Sequence, residues 1–410
     1  MLTIRATAAA AGSFMLAMAA PLPAAQPASE PAPPGRVELV EPVEQVAAST
    51  ITGYLKVKLA NLARINPANP AADSDDNQTL SLFGREDLIA ATSAIYRPTK
   101  CVPLPSAPDV LDDIARRAAD TSVVIINESH EHSDHRGFTA EVAHRLRPLG
   151  YDALAIETLV NDSPDVPEQF RAPFVRQPAL PYLTDDDGYY STEAGFGRLG
   201  RAAKALGYHL IAYEIVISGP PVAKLTRAQS IAEREEAQAT TLAAFLKANP
   251  GTKLLVHVGY SHAMEVPTKD GITWMAARLK AKTGIDPLTI SQTTCRGGSD
   301  TTHLAELPAD EPKGAFDLVV DHPTARFVQG RPAWRVAAGD QPVAIPAALV
   351  PKQGWRVIEA RPVGEPDASV PIDRVAIRAG NTVALMLPPG RYALRVIDVA
   401  RPKTAAKSRR

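Results

Sequence analysis

The sequence predicts an α/β protein: a three-layer, mainly parallel sheet followed by a carboxyl-terminal antiparallel β-sandwich module. Three observations predict it. Between residues 107 and 295, amphipathic helical segments alternate with short apolar runs, the pattern of βα units joined by right-handed crossovers. Those runs end in ionisable residues, at the carboxyl edge where open parallel sheets place their ligand crevice. After Gly314 the texture changes to short alternating runs separated by Gly and Pro, with no helical period.

The chain of 410 residues is long enough for a large core and more than one domain, and its formal net charge of -1 gives no long-range field. Nucleic acid and anionic membrane surfaces are therefore not expected partners. The start, MLTIRATAAAAGSFMLAMAAPLPAAQP, has Arg5 before a short apolar run and then small residues such as Pro23-Ala24-Ala25. It reads as a cleavable signal peptide over residues 1–25, too short to span a membrane and without a lipobox Cys, which places the mature chain in a periplasm or outside the cell. Residues 26–47 are Pro-rich and read as an extended linker, and residues 48–106 as a helical region around an exposed polar tract.

The α/β domain is expected over 107–315. DVLDDIARRAAD is amphipathic and leads into the strand TSVVIIN; GFTAEVAHRLRPLG is helical up to Gly150 and precedes the strand YDALAIE. AGFGRLGRAAKALG with YHLIAYE forms the next unit. QSIAEREEAQATTLAAFLKANPG, closed by Asn249, Pro250 and Gly251, forms the following one with KLLVHVG. WMAARLKAKTG and PLTISQ add one more helix and strand. The Pro- and Asp-rich excursion over 160–190 reads as a lid over the strand ends. Residues 316–400 form the β module, expected to take no part in catalysis, and 401–410 a basic tail. Trp334 and Trp355 would suit a glycan or envelope partner if exposed, although core packing is the commoner use. Cys101 and Cys295 are expected to pair in an oxidising compartment.

Strands of one parallel sheet deliver their carboxyl ends to a common edge, so Glu128 and His130, Glu157, Glu214, and Tyr260 and His262 can converge despite their separation in sequence. Arg234, in AEREEAQ, would keep such carboxylates ionised. His257, inside its apolar strand, reads as a core histidine. A hydrolytic reading follows: His130 as general base toward water, oriented by Glu128 or Glu157, with Arg234 and His262 stabilising an oxyanion. His130, His262, Glu128 and Glu157 also form a mixed nitrogen and oxygen set suited to a divalent ion such as zinc or manganese. Ser129 and Ser261 lie beside the key histidines but not in a Gly-x-Ser-x-Gly elbow.

Two resemblances bear on this set. His130-x-His132-x-Asp134-His135 is similar to the HxHxDH element of the metallo-β-lactamase superfamily, which implies a zinc hydrolase. Over about residues 107 to 295 the chain resembles the erythromycin-esterase/ChaN-like superfamily, with its haem-uptake ChaN-like and Tiki/TraB relatives. The resemblance rests on Asn127-Glu128-Ser129-His130, Glu157, Arg234 and Gly259-Tyr260-Ser261-His262, with Asn127 in place of the usual Gly. It implies either hydrolysis of an ester or amide in a small-molecule or peptide substrate, metal-assisted in some members, or haem binding, with Tyr260 and Glu214 near the ligand.

Overall fold

The computed structural model describes residues 35–66, 69–70, 73–105, 109–216 and 225–399. The expected signal peptide and the basic tail lie outside these residues. The chain is mixed α/β. Among the described residues its main sheet has seven strands: β2 (Val123–Glu128), β3 (Tyr151–Ile156), β4 (His209–Ile211), β5 (Lys253–Gly259), β6 (Leu288–Ser291), β7 (His303–Ala305) and β8 (Leu318–Asp321). Their order is β4-β3-β5-β2-β6-β8-β7, parallel throughout except for the β7–β8 pair.

β2 reads as an unbroken apolar run because both of its faces are covered. Val124 and Ile126 pack with Ile114 of α4 (Val110–Ala118), Val142 of α5 (Ser133–Leu146) and Leu199 of α7 (Ala194–Ala205). Val123 and Ile125 face the opposite layer, with Leu242 of α8 (Arg227–Ala248) and Met275 and Leu279 of α9 (Met275–Thr283). Alternate residues of one strand thus feed two cores, the three layers the alternation predicts. α5 begins four residues earlier than its apolar period suggests, with His132 as its N-cap residue. α8 starts at a capping box made by Thr226 and Gln229.

The ends of the chain are organised differently from the expectation. Residues 37–47, taken as linker, form β1 (Val37–Ala47), which runs parallel to β15 (Gly390–Val399). Pro42 suggests a non-strand segment, yet proline is tolerated on an edge strand, and β1 is the edge of a four-stranded sheet β1-β15-β12-β13, with β12 at Trp355–Pro362 and β13 at Asp373–Ile377. The helices α1 (Gly53–Arg64), α2 (Ser74–Leu82) and α3 (Glu86–Ala90) cover one face of it: Leu55, Leu59 and Leu62 pack with Trp355, Val357 and Ile397. The other face packs against an antiparallel pair, β11 (Gln341–Ala344) and β14 (Ala384–Leu387), through Ile358, Val375 and Val396 against Leu385 and Leu387. The amino-terminal helices and the terminal β module therefore share one core, and β8, counted with the module, belongs to the main sheet. Trp355 is buried in that core. Trp334 abuts Gly137 and donates to Ser133 Oγ at 2.9 Å, so the two tryptophans form no exposed platform for a sugar.

Among the described residues no helix is long and apolar enough to cross a membrane. Cys101 and Cys295 form a disulfide with Cα atoms 6.1 Å apart across a separation of 194 residues, consistent with an oxidising compartment. Closing so long a loop restricts the unfolded chain strongly. Cys295→Ser is expected to lower stability by about 2–5 kcal/mol in guanidinium unfolding, and an unchanged midpoint would contradict this.

Candidate functional site

β3, β5 and β2 are neighbours, and their carboxyl ends carry the expected residues. Glu128 ends β2, and its register partner on β5 is Gly259. Glu128 is 1 % exposed and serves three cations or potential cations at once: Arg136 Nε lies 2.8 Å from Oε2, His257 Nε2 3.3 Å from Oε2, and His130 Nδ1 2.8 Å from Oε1. Burial opposes its charge, but Arg136, His257 and the hydrogen bonds from both imidazoles outweigh that and hold its carboxyl well below the usual range. Glu128 is thus a fixed anion that orients the His130 ring. The other edge of that ring lies over Gly259, where a Cβ would fall 2.6 Å from His130 Cε1 and 2.9 Å from Nε2. Glycine is required there by close approach.

The second half of the site is built on α8. Arg234 pairs with Glu157 and Glu214 through Nη2, and its Nε donates to Glu214 Oε2 at 2.9 Å. Gly259 N–H donates to Glu157 Oε2 at 2.7 Å, and Gln238 donates to Glu214 Oε2 at 3.1 Å. His262 Nδ1 lies 2.8 Å from Glu235, while its Nε2 lies 3.2 Å from Arg234 Nη1 and 3.5 Å from Glu157 Oε1. Burial disfavours a charged His262, yet Glu157 and the bond to Glu235 raise its pKa. Two histidines, each backed by a buried carboxylate, therefore flank the Glu157–Arg234 pair. Tyr190 sits 4.6 Å from the His130 ring and Tyr260 5.0 Å, centroid to centroid. Tyr260 holds a positive φ of 41° and bonds Glu131 through its hydroxyl. It is among the exposed large side chains.

In Glu157, burial favours the neutral acid, but His262, His130, Arg234 and the Gly259 amide lower the pKa from its ordinary 4.5 to about 2. The unfolded chain then binds the proton more tightly than the folded one, so stability rises with pH across that interval. The contribution is full above the unfolded pKa and disappears as pH falls through the folded one. Glu157→Gln is expected to flatten this acid limb by an amount on the order of 3 kcal/mol in urea unfolding across the acid range. A variant with the parent's acid limb would contradict this assignment.

Every residue expected at the site from the sequence is here: Glu128, His130, Glu157, Glu214, Arg234, Tyr260 and His262. Sequence reasoning missed Arg136, Glu235, Glu193 and Tyr190, and it took His257 mainly as a core histidine. Arg136 is 1 % exposed and bridges Glu128 to Glu193. The four-residue HxHxDH set does not act as a unit. His130 joins Glu128, whereas His132, Asp134 and His135 turn to a separate group whose donor atoms lie within 4.8 Å of one another and could hold a metal ion. With a mainly parallel sheet around it, the metallo-β-lactamase reading is not supported.

The expected metal set at His130, His262, Glu128 and Glu157 does not fit an ion well. Guanidinium, imidazole and amide donors already occupy all four carboxylate oxygens, so a cation would have to displace Arg136 and Arg234. Haem fits no better: the cleft beside His130 holds about 10 Å³, and the larger hollow beside Glu214, though partly apolar through Ile215, Val216 and Ala237, has no His, Tyr, Met or Cys in its lining to serve as an axial ligand.

No family model matches the chain, and no curated protein matches it. Among solved structures, the type III effector HopBA1 is similar at 16% identity and a TM-score of 0.33, covering 55% of this chain and 98% of that one. The toxin effector domain RRSP from Vibrio vulnificus is similar at 15% identity and a TM-score of 0.36, over 60% of this chain and 48% of that one. ChaN of Campylobacter jejuni, a haem-binding protein, is similar at 10% identity and a TM-score of 0.29, over 51% and 90%. At such scores the likenesses lend no weight to any activity here.

Proposed function

We propose that the protein is an extracytoplasmic hydrolase of an ester or amide bond that uses histidine-activated water, the chemistry its resemblance to the erythromycin-esterase/ChaN-like superfamily implies. The observation that carries the reading is the Glu128–His130 bond of 2.8 Å, beside a glycine that leaves the far edge of the ring uncovered by any side chain of its own. Glu128 fixes the ring's orientation and stabilises the imidazolium that forms when His130 takes a proton from water. In this reading Arg234 and His262 stabilise the oxyanion, and the raised pKa of His262 supports its holding a proton for the leaving group. The 160–190 excursion and Tyr190 would select the substrate. The Cys101–Cys295 disulfide supports a location outside the cytoplasm.

The test is a panel of p-nitrophenyl esters and p-nitroanilides given to the full chain, with and without chelator. Turnover of at least one compound, indifferent to chelator, is expected. Hydrolysis that vanishes on chelation would replace the metal-free route. A flat panel together with a Soret shift on adding hemin would replace hydrolysis by ligand carriage.

A further inference from the structure

The turn after β2 serves two places. His130 faces the hydrolytic site, and the next residues build a column of rings: Tyr96 stacks on His132 at 4.0 Å, His132 on His135 at 5.0 Å, and His135 lies 5.2 Å from His322. This column borders a cavity of about 470 Å³, the size that small organic ligands occupy, which shares no lining residue with the cleft beside His130. Phe138, Phe327 and Trp334 supply its apolar walls.

The polar groups around the cavity are unbalanced. Glu86, Asp134, Glu141 and Asp300 line it against one guanidinium, Arg326, which is already paired with Asp300. Glu86 is spent on the Tyr96 hydroxyl and the Ser133 amide. Asp134 Oδ1 is buried without a hydrogen-bond partner, and the nearest imidazole nitrogen, Nδ1 of His132, stays 3.6 Å away. Glu141 is exposed to solvent, so the acceptor left without a hydrogen bond inside the cavity is Asp134 Oδ1. The indole N–H of Trp334 is taken by Ser133. Acceptors are therefore in surplus, and ring faces that attract a cation stand beside them.

A metal ion answers this imbalance poorly. The His132 and His135 rings are within 11° of parallel, so their in-plane lone pairs do not converge on one point. His135 Nδ1 also accepts from the Ser129 amide at 3.0 Å, which leaves its proton on Nε2. We propose that this cavity binds a small organic amine, its ammonium head on Asp134 and its apolar, ring-sized body between Phe138, Phe327 and Trp334.

Calorimetric titration of the full chain with phenethylamine, benzylamine and cyclohexylamine tests this, with phenethyl alcohol and phenylacetate as uncharged and anionic counterparts. At least one amine is expected to bind saturably, and its alcohol or acid counterpart at least about tenfold more weakly. Asp134→Asn should weaken the amine by about tenfold or more. Ala337→Phe, which fills the cavity while leaving every charge in place, should abolish binding even if the Asn variant folds poorly. His130→Ala should leave amine affinity unchanged while removing hydrolysis, so the two readings fail separately. No binding by any of the three amines, equal affinity for alcohol and amine, binding that survives Ala337→Phe, or tight zinc binding in place of amine binding would overturn the proposal.

Discussion

His130→Ala is expected to lower kcat on any responsive ester by about 10² to 10⁴, the usual contribution of a positioned general base. Stability should change little, because both contacts of Glu128 with Arg136, at 2.8 Å and 3.0 Å, remain when the imidazole is gone and keep the buried carboxylate paired. KM should move less than kcat, since the ring acts on water rather than on the bulk of the substrate. His262→Gln gives the second arm. It keeps an amide that can accept from Arg234 but cannot deliver a proton, so it should penalise substrates with poor leaving groups more than nitrophenyl esters. Undiminished turnover in His130→Ala, measured on folded protein, would remove the assignment.

How far the site was legible before the fold was known follows from what sequence patterns can carry. Glu128, Glu157 and His262 could be found because each follows an apolar strand, and parallel strands share an edge. Arg234 could be found because clustered carboxylates require a cation. The same reasoning should have reached Arg136, since it lies on the helix that leaves the first cluster, but one arginine sufficed to satisfy the argument. His257 was read from its apolar neighbours, which are accurate as far as they go: it is 1 % exposed, yet its Nε2 reaches Glu128. Tyr190 and Glu193 carry no local signal. They reach the site only because the long excursion after β3 folds back, and its path is set by residues far away in the chain. β1 failed for a related reason, because its partner, β15, lies at the opposite end of the sequence.

That remote control is the basis of the second large effect. Glu359, Arg361, Arg374 and Arg395 look like polar-face residues of an alternating sheet, and the module that bears them looked separable from the chemistry. They are instead buried, on the same face of the sheet that meets the amino-terminal helices through its apolar residues. Arg374 is 0 % exposed; its Nε donates to Glu359 Oε1 at 2.6 Å, its Nη2 to Asp185 Oδ2 at 2.9 Å, and its Nη1 to the Thr192 carbonyl. Asp185 and Thr192 bracket Tyr190, which packs over His130, and Thr192 immediately precedes Glu193, which pairs with Arg136. Arg374→Ala would leave the half-buried Asp185 without its principal cation, Arg361 standing 3.9 Å off, and would take one guanidinium from the fully buried Glu359, so it should cost about 3–5 kcal/mol in urea unfolding. Well below the melting temperature, the folded fraction should also lose kcat, because the ring that packs on the base is no longer held. Arg374→Lys, which restores charge but not three simultaneous bonds, should recover part of the stability and less of the kcat. A stability change under about 1 kcal/mol, or full kcat in folded Arg374→Ala, would show that the module and the catalytic edge are independent after all.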